Sequence, residues 1–343
     1  MCAADRGPTG ESENERDWRR DEPDRQDDGR RNDCDRRADD EAEDQGHAGA
    51  TYALRVALLR SLLLRRDIWK RIAVERLTEP LHLNAIAFGV ALAGSTRAKA
   101  AFDVLVRQQH AYGLLDAADE ARRRGLRRVT VVELGVGGGA GLLNICDLAG
   151  RVARATEIEF DIVGFDTGAG LPPPTDHRDH PELYSAGSFP HDRHALERAL
   201  PSNARIVYGD LRETIDPFVA TLTPDAPLGF ATLDVDYYTS SQHALRLFLG
   251  DARCYLPTVS VYVDDVHERT HTRFAGELLA IDEFNAEHEL RKLDVDRSLV
   301  YSRVFKHAEW LQHMHRLHVF DHPERCDADA EREIEVAPNP YLS

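Results

Sequence analysis

The chain has 343 residues, with 60 acidic against 43 basic side chains, a formal net charge of −17 and 42% hydrophobic residues. That length suits one large or two small domains with a buried core. The charge opposes attraction to phosphates, which excludes nucleic acid as the main partner, and no run of about twenty apolar residues offers a membrane span.

Residues 1–50 carry 17 acidic and 9 basic side chains, with Trp18 almost alone as a large apolar residue. This composition predicts a disordered acidic tail. The opening residues lack the apolar stretch of a signal peptide and are too acidic for a mitochondrial presequence, so a cytoplasmic protein is expected. Cys2, Cys34, Cys146, Cys254 and Cys326 are scattered and without CxxC spacing, which fits a reducing compartment rather than a disulfide framework or a zinc knuckle.

From Tyr52 the stretch TYALRVALLRSLLLRRDIWKRIAVERL interleaves leucines and valines with Arg55, Arg60, Arg65 and Arg66, a pattern of one or two amphipathic helices. A second helical pattern runs from Ala101 to Arg124 and stops at Gly125, a C-terminal cap. Residues 51–124 therefore read as a helical N-terminal segment, expected to fold over a ligand cleft as a lid with Gln109, His110 and Tyr112 in it. Five short β-rich runs follow, RRVTVVEL, FDIVGFD, ARIVYGD, LGFATLD and VSVYVDD, with helical stretches between them. Strands alternating with helices predict an α/β fold with a doubly wound, mostly parallel, Rossmann-like sheet. A helix is expected over Arg273 to Glu287, RKLDV and LVYSRVF are expected to pair as closing antiparallel strands, and HAEWLQHMHRLHVF reads as a last helix before a polar tail.

In such sheets ligands sit at the carboxyl ends of the strands. The first strand ends in Glu133-Leu134-Gly135-Val136-Gly137-Gly138-Gly139-Ala140-Gly141, a turn that brings backbone close to a ligand in front of a helix N-terminus. The same string fits a dinucleotide fingerprint, but Glu133 puts a carboxylate where a pyrophosphate would lie, which favours a cationic ligand. Asp166, at the second tip, suits ribose hydroxyls, and Asp210, at the third, suits an exocyclic adenine amine; either residue would equally serve as a helix cap. Asp234-Val235-Asp236 and Asp264-Asp265 end the fourth and fifth strands. Carboxylates converging there repel one another unless a proton, a basic partner or a hard cation such as Mg²⁺ neutralises them; solvated acids and helix caps are the alternative. The long connection from Pro172 to Phe189 reads as a cover for substrate. The histidines 307, 313, 315, 318 and 322 read as a surface or interface helix rather than a metal site.

Taken in order, ELGVGGGAG, GFDTGAGLP, VYGDLRETI, LDVDYYTSSQHAL and VYVDD resemble the class I S-adenosylmethionine-dependent methyltransferases, and among them the macrocin O-methyltransferase-like group. The resemblance implies a methyltransferase domain over residues 125–325, followed by a polar tail over 326–343. It implies an enzyme that uses S-adenosyl-L-methionine with Mg²⁺ to methylate a hydroxyl on a small molecule such as a natural-product sugar. It implies cofactor contacts at Glu133, Gly135, Gly137, Gly139, Asp166 and Asp210, and metal ligation by Asp234, Asp264 and Asp265. Val266 stands where the group commonly has an aromatic residue, and Cys254-Tyr255-Leu256-Pro257 where it commonly has a Gly-Gly. For catalysis, Asp264 at the metal and His267 just beyond it, as a general base, are the candidates. An NAD-dependent oxidoreductase and a non-catalytic nucleoside-binding protein are the alternatives. Oligomeric state stays open, a homo-oligomer included.

Overall fold

A computed structural model describes residues 75–267 and 269–326. The expected acidic tail, the amphipathic stretch from Tyr52 to Val74 and nearly all of the polar C-terminal tail lie outside the described residues.

Seven strands form one sheet: β1 (Arg128–Leu134), β2 (Glu159–Asp166), β3 (Ala204–Tyr208), β4 (Leu228–Leu233), β5 (Tyr255–Val263), β6 (Arg291–Val295) and β7 (Met314–Val319). Their order is β3-β2-β1-β4-β5-β7-β6. The first five pair in parallel, while β7 runs antiparallel to both β5 and β6. The chain thus winds outward from β1 through β2 to β3, then returns to lay β4 on the other side of β1. In open α/β sheets such a reversal, here above the β1 and β4 tips, is where ligands bind.

The central strands are apolar because both faces are covered. All six residues of β4 are buried, and β1 is buried from Val129 onward. Alternation along β1 sends Val129 and Val131 into one apolar cluster, with the helices Gln108–Arg123 and Ala140–Thr156. Val132 and Leu134 enter the opposite cluster, with Leu211–Val219, Tyr238–Ala244 and Gly276–Glu287. Ladder bonds continue to the tips, where the Asp234 amide donates to the Leu134 carbonyl and the Asp264 amide to the Leu233 carbonyl, each at 3.0 Å. Leu233 is also in register with Val263, so the acid-bearing turns after β4 and β5 start side by side.

Three expectations change. The pattern from Ala101 is not one helix: Thr96–Ala101 is a short helix, and Gln108–Arg123 starts after a turn in which Asp103 and Arg107 take φ of 49° and 52°. Its far end is as expected, since the Leu126 amide donates to the Ala121 carbonyl across Gly125, a Schellman closure. Gln109 and His110 are buried in the layer that covers the sheet, where the His110 ring meets Phe230 and Tyr262 edge-on; half-buried Tyr112 accepts from Arg316 at 3.0 Å. The closing partner of RKLDV is Met314–Val319, inside the stretch read as a helix, whereas LVYSRVF holds only a helical turn, Leu299–Ser302. Trp310, Met314 and Leu317 mimic helical spacing, but Leu317 and Val319 alternate with Arg316 and His318 along the strand. The helix expected from Arg273 starts at Gly276. Cys146, Cys254 and Cys326 are free thiols.

Candidate functional site

On the β1 and β2 side, the Gly-rich turn is held by its own backbone. Gly135, Gly137 and Gly139 take φ of 84°, 49° and 83°. At Gly135 a Cβ would strike the Asp234 backbone, so the β1 and β4 tips pass at a distance only glycine permits. Asp166 Oδ2 accepts the Val136 and Gly137 amides at 3.0 and 2.9 Å, and Oδ1 accepts the Gly168 amide at 2.5 Å. The second tip therefore ties down the loop of the first, and Oδ1 keeps lone-pair capacity for one further donor. The buried His191 side chain lies beside it, with Nδ1 3.9 Å from Asp166 Oδ1 and Nε2 3.3 Å from the Tyr208 hydroxyl.

Glu133 is buried, and its Oε2 has no partner among the described residues. A Cβ on Gly141 would fall on this carboxylate, so the next helix packs directly over it. Burial pushes the Glu133 carboxyl up to about 8, with Arg107 pulling it down and Asp166 adding to the rise. Asp210 is a helix cap: it accepts the Arg212 amide at 2.9 Å and the Arg212 guanidinium at 3.0 and 2.6 Å. The guanidinium holds its carboxyl below the ordinary range.

On the β4 and β5 side, oxygens of Asp234, Asp236 and Asp265 lie within 4.8 Å of one another. Asp264, expected in this set, is not in it; its Oδ1 accepts the Tyr262 hydroxyl at 2.6 Å. Asp236 enters the set because β4 ends at Leu233 and Asp236 takes a left-handed φ of 62°, a costly conformation for a non-glycine residue. Burial and then the charges of Asp264, Asp236 and Asp265 push Asp234 well above the ordinary carboxyl range. Burial, followed by Asp265 and Asp264, pushes Asp236 up to about 7. Three hard oxygen donors under mutual repulsion are the donor chemistry that suits Mg²⁺.

Four further residues complete this half. Glu277 is fully buried, and its two oxygens accept the Val235 and Asp265 amides, each at 3.1 Å. The Tyr184 hydroxyl donates to Asp265 Oδ1 at 2.8 Å, and His271 Nε2 lies 3.7 Å from the same oxygen. Asp179, also fully buried, accepts the Thr239 amide at 2.9 Å and its hydroxyl at 3.1 Å. Tyr184 and Asp179 both belong to the long connection after β2, which is thereby pinned over the acids. His267 is exposed and packs edge-on to His313, with ring centroids 6.1 Å apart. His313 and His315 do not sit on a helix: His313 precedes β7, and His315 is a buried residue of it.

An open cavity of about 580 Å³ lies at the opposite edge, beside the residues that precede β5. Its Arg246 and Arg253 are engaged by Asp216 and Asp251.

No family model and no curated protein matches this chain. Among solved structures it is similar to CalS11, a calicheamicin methyltransferase, at 20% identity over 59% of this chain and 83% of that one, with a TM-score of 0.38. It is also similar to the O-methyltransferase TomG from Streptomyces achromogenes, at 15% identity over 60% and 78%, with a TM-score of 0.30. A third is the MycE methyltransferase of the mycinamycin biosynthetic pathway, at 13% identity over 60% and 53%, with a TM-score of 0.28.

Proposed function

We propose that this protein is an S-adenosylmethionine-dependent methyltransferase that methylates a hydroxyl of a small molecule, such as a natural-product sugar, with the help of Mg²⁺. The observation that carries this reading is the meeting, at the point where the sheet reverses, of a glycine turn over buried Glu133 with the carboxylate group of Asp234, Asp236 and Asp265 on adjacent strand tips. Both halves set carboxyl groups at the strand tips, and a bound cation would favour their ionised form. That suits a sulfonium and a metal cation, and opposes the pyrophosphate of a dinucleotide.

S-adenosylmethionine supplies a methyl group on positively charged sulfur. Glu133 and the Gly135–Gly139 backbone would orient its amino-acid end, and Asp166 would accept from its ribose hydroxyls; Asp210 is the residue proposed beside the adenine. Mg²⁺, held by Asp234, Asp236 and Asp265 with Asp264 adjacent, would supply a Lewis acid that lowers the pKa of an acceptor hydroxyl. The residues around the crevice would hold the acceptor oxygen in line behind the transferred methyl, and a base would take the hydroxyl proton. His267, beyond the paired aspartates, is the proposed base. The connection carrying Asp179 and Tyr184 would close the acceptor side and exclude water.

The test is transfer of labelled methyl from S-adenosylmethionine to a panel of sugar and catechol-like diols, with Mg²⁺ or with chelator. Metal-dependent labelling supports the reading. Tight cofactor binding without any transfer favours a non-catalytic binder, and hydride transfer with NAD⁺ overturns the reading.

A further inference from the structure

Glu277 is a fully buried carboxyl group whose two oxygens accept backbone amides from the turns after β4 and β5. It stands in the first turn of the helix Gly276–Glu287, with Oε1 3.1 Å from the Val235 amide and Oε2 3.1 Å from the Asp265 amide. Val235 lies between Asp234 and Asp236, and Asp265 is itself in the carboxylate group. A single side chain therefore spans the turn after β4 and the turn after β5.

The local backbone is built for this reach. Ala275 is extended and Gly276 takes φ of 60°, so the helix starts abruptly at the strand tips. The His180 ring lies 3.0 Å from where a Cβ on Gly276 would stand, so a side chain there would meet both strain and a buried imidazole. The first-turn position also sets the carboxylate at the positive end of a twelve-residue helix.

We infer that Glu277 is the positioning residue of the acid cluster, fixing the separation of the Asp234–Asp236 and Asp264–Asp265 turns and thereby the affinity of the cluster for a divalent cation. The backbone part of this inference stands on the structure alone, and the cation part rests on the proposed function. Ladder pairing ends at Leu233 and Val263, so beyond it the turns depend on other contacts for their spacing. Two hydrogen bonds from one buried group make a short, stiff bridge. A carboxylate that orients metal-binding groups without touching the metal changes metal affinity when it is lost.

The experiment compares the full chain with Glu277→Gln and Glu277→Asp. Gln keeps one acceptor and turns an amide group toward an amide; Asp keeps the carboxyl group but is one methylene too short to span both turns. Mn²⁺ affinity is measured by calorimetry, S-adenosylmethionine affinity in the same way, and amide exchange at Val235 and Asp265 by NMR. The expected result for Glu277→Gln is Mn²⁺ affinity weaker by about tenfold or more, with cofactor affinity within about twofold and exchange faster at those two amides. Glu277→Asp, the variant that keeps the carboxyl group if Gln does not fold, should lose protection at one of the two amides and part of the Mn²⁺ affinity. Unchanged Mn²⁺ affinity in a folded variant would overturn the inference. If the unsubstituted protein binds no Mn²⁺, the metal in the proposed function fails, and amide exchange then decides: unchanged protection at Val235 and Asp265 overturns the positioning role, and selective loss there upholds it.

Discussion

The two halves of the candidate site are organised in opposite ways. On the β1 and β2 side the glycine turn is satisfied internally, because the Asp166 carboxylate takes up backbone amides from Val136, Gly137 and Gly168. On the β4 and β5 side Asp234, Asp236 and Asp265 crowd together, and burial with mutual repulsion pushes Asp234 and Asp236 upward. The first half is fixed in shape by its own hydrogen bonds. The second is held against its own electrostatics by Glu277 and Tyr184, so it gains most from a bound cation or proton.

Substitutions break this contrast in graded ways. The largest effect is expected from Asp265→Ala, which removes a proposed ligand together with the acceptor for Tyr184. Methyl transfer should fall on the order of 100-fold or more, as for loss of a group that stabilises transition-state charge. Cofactor affinity by calorimetry should be unchanged, and full activity in chelator would remove the metal from the account. Asp166→Ala strikes the other half. Losing charge-assisted bonds of about 1.5–3 kcal/mol each should weaken S-adenosylmethionine binding by about tenfold or more, while Mn²⁺ affinity stays level; unchanged cofactor affinity would move the nucleoside site elsewhere.

Glu133 sharpens the contrast through pH. Its carboxyl is raised from 4.5 to about 8 in the folded chain by burial, so the native state holds a proton that the unfolded chain gives up. Its contribution to stability is complete below pH 4.5 and is lost as pH rises toward 8, by up to about 1.4 kcal/mol per pH unit. Glu133→Gln should flatten denaturant-derived stability across that window, and an identical pH profile would contradict its burial as a protonated acid. The smallest effect belongs to Tyr184→Phe, which deletes one hydrogen bond to Asp265. A cost of about 1 kcal/mol, seen as a roughly fivefold rise in the Mg²⁺ requirement of methyl transfer, is expected without loss of fold.

Much of the sheet was legible because each of the first five strands is a short β-rich run ending in a glycine or an acid. β7 was not, since its apolar residues also fit a helical period and only pairing with β5 and β6 decides between them. The acids at the tips were visible in the order of the motifs, but which of them meet was not. Asp236 joins the group through a left-handed turn that follows from where β4 stops, and Asp264 leaves it for a bond to Tyr262. Glu277 carried no signal: it lies 42 residues from Val235 and 12 from Asp265, and only the folded sheet brings the three together. Tyr184 was foreshadowed only by the length of its connection, a cue that marks a covering loop without saying which residue reaches the acids.

The most direct test of the central claim is calorimetric titration of the full chain with S-adenosylmethionine and, separately, NAD⁺, each with and without Mg²⁺. The account predicts micromolar binding of S-adenosylmethionine, no binding of NAD⁺, and a separate Mg²⁺ response that Asp265→Ala abolishes. Binding of NAD⁺ alone would contradict it and would mean that buried Glu133 tolerates a pyrophosphate.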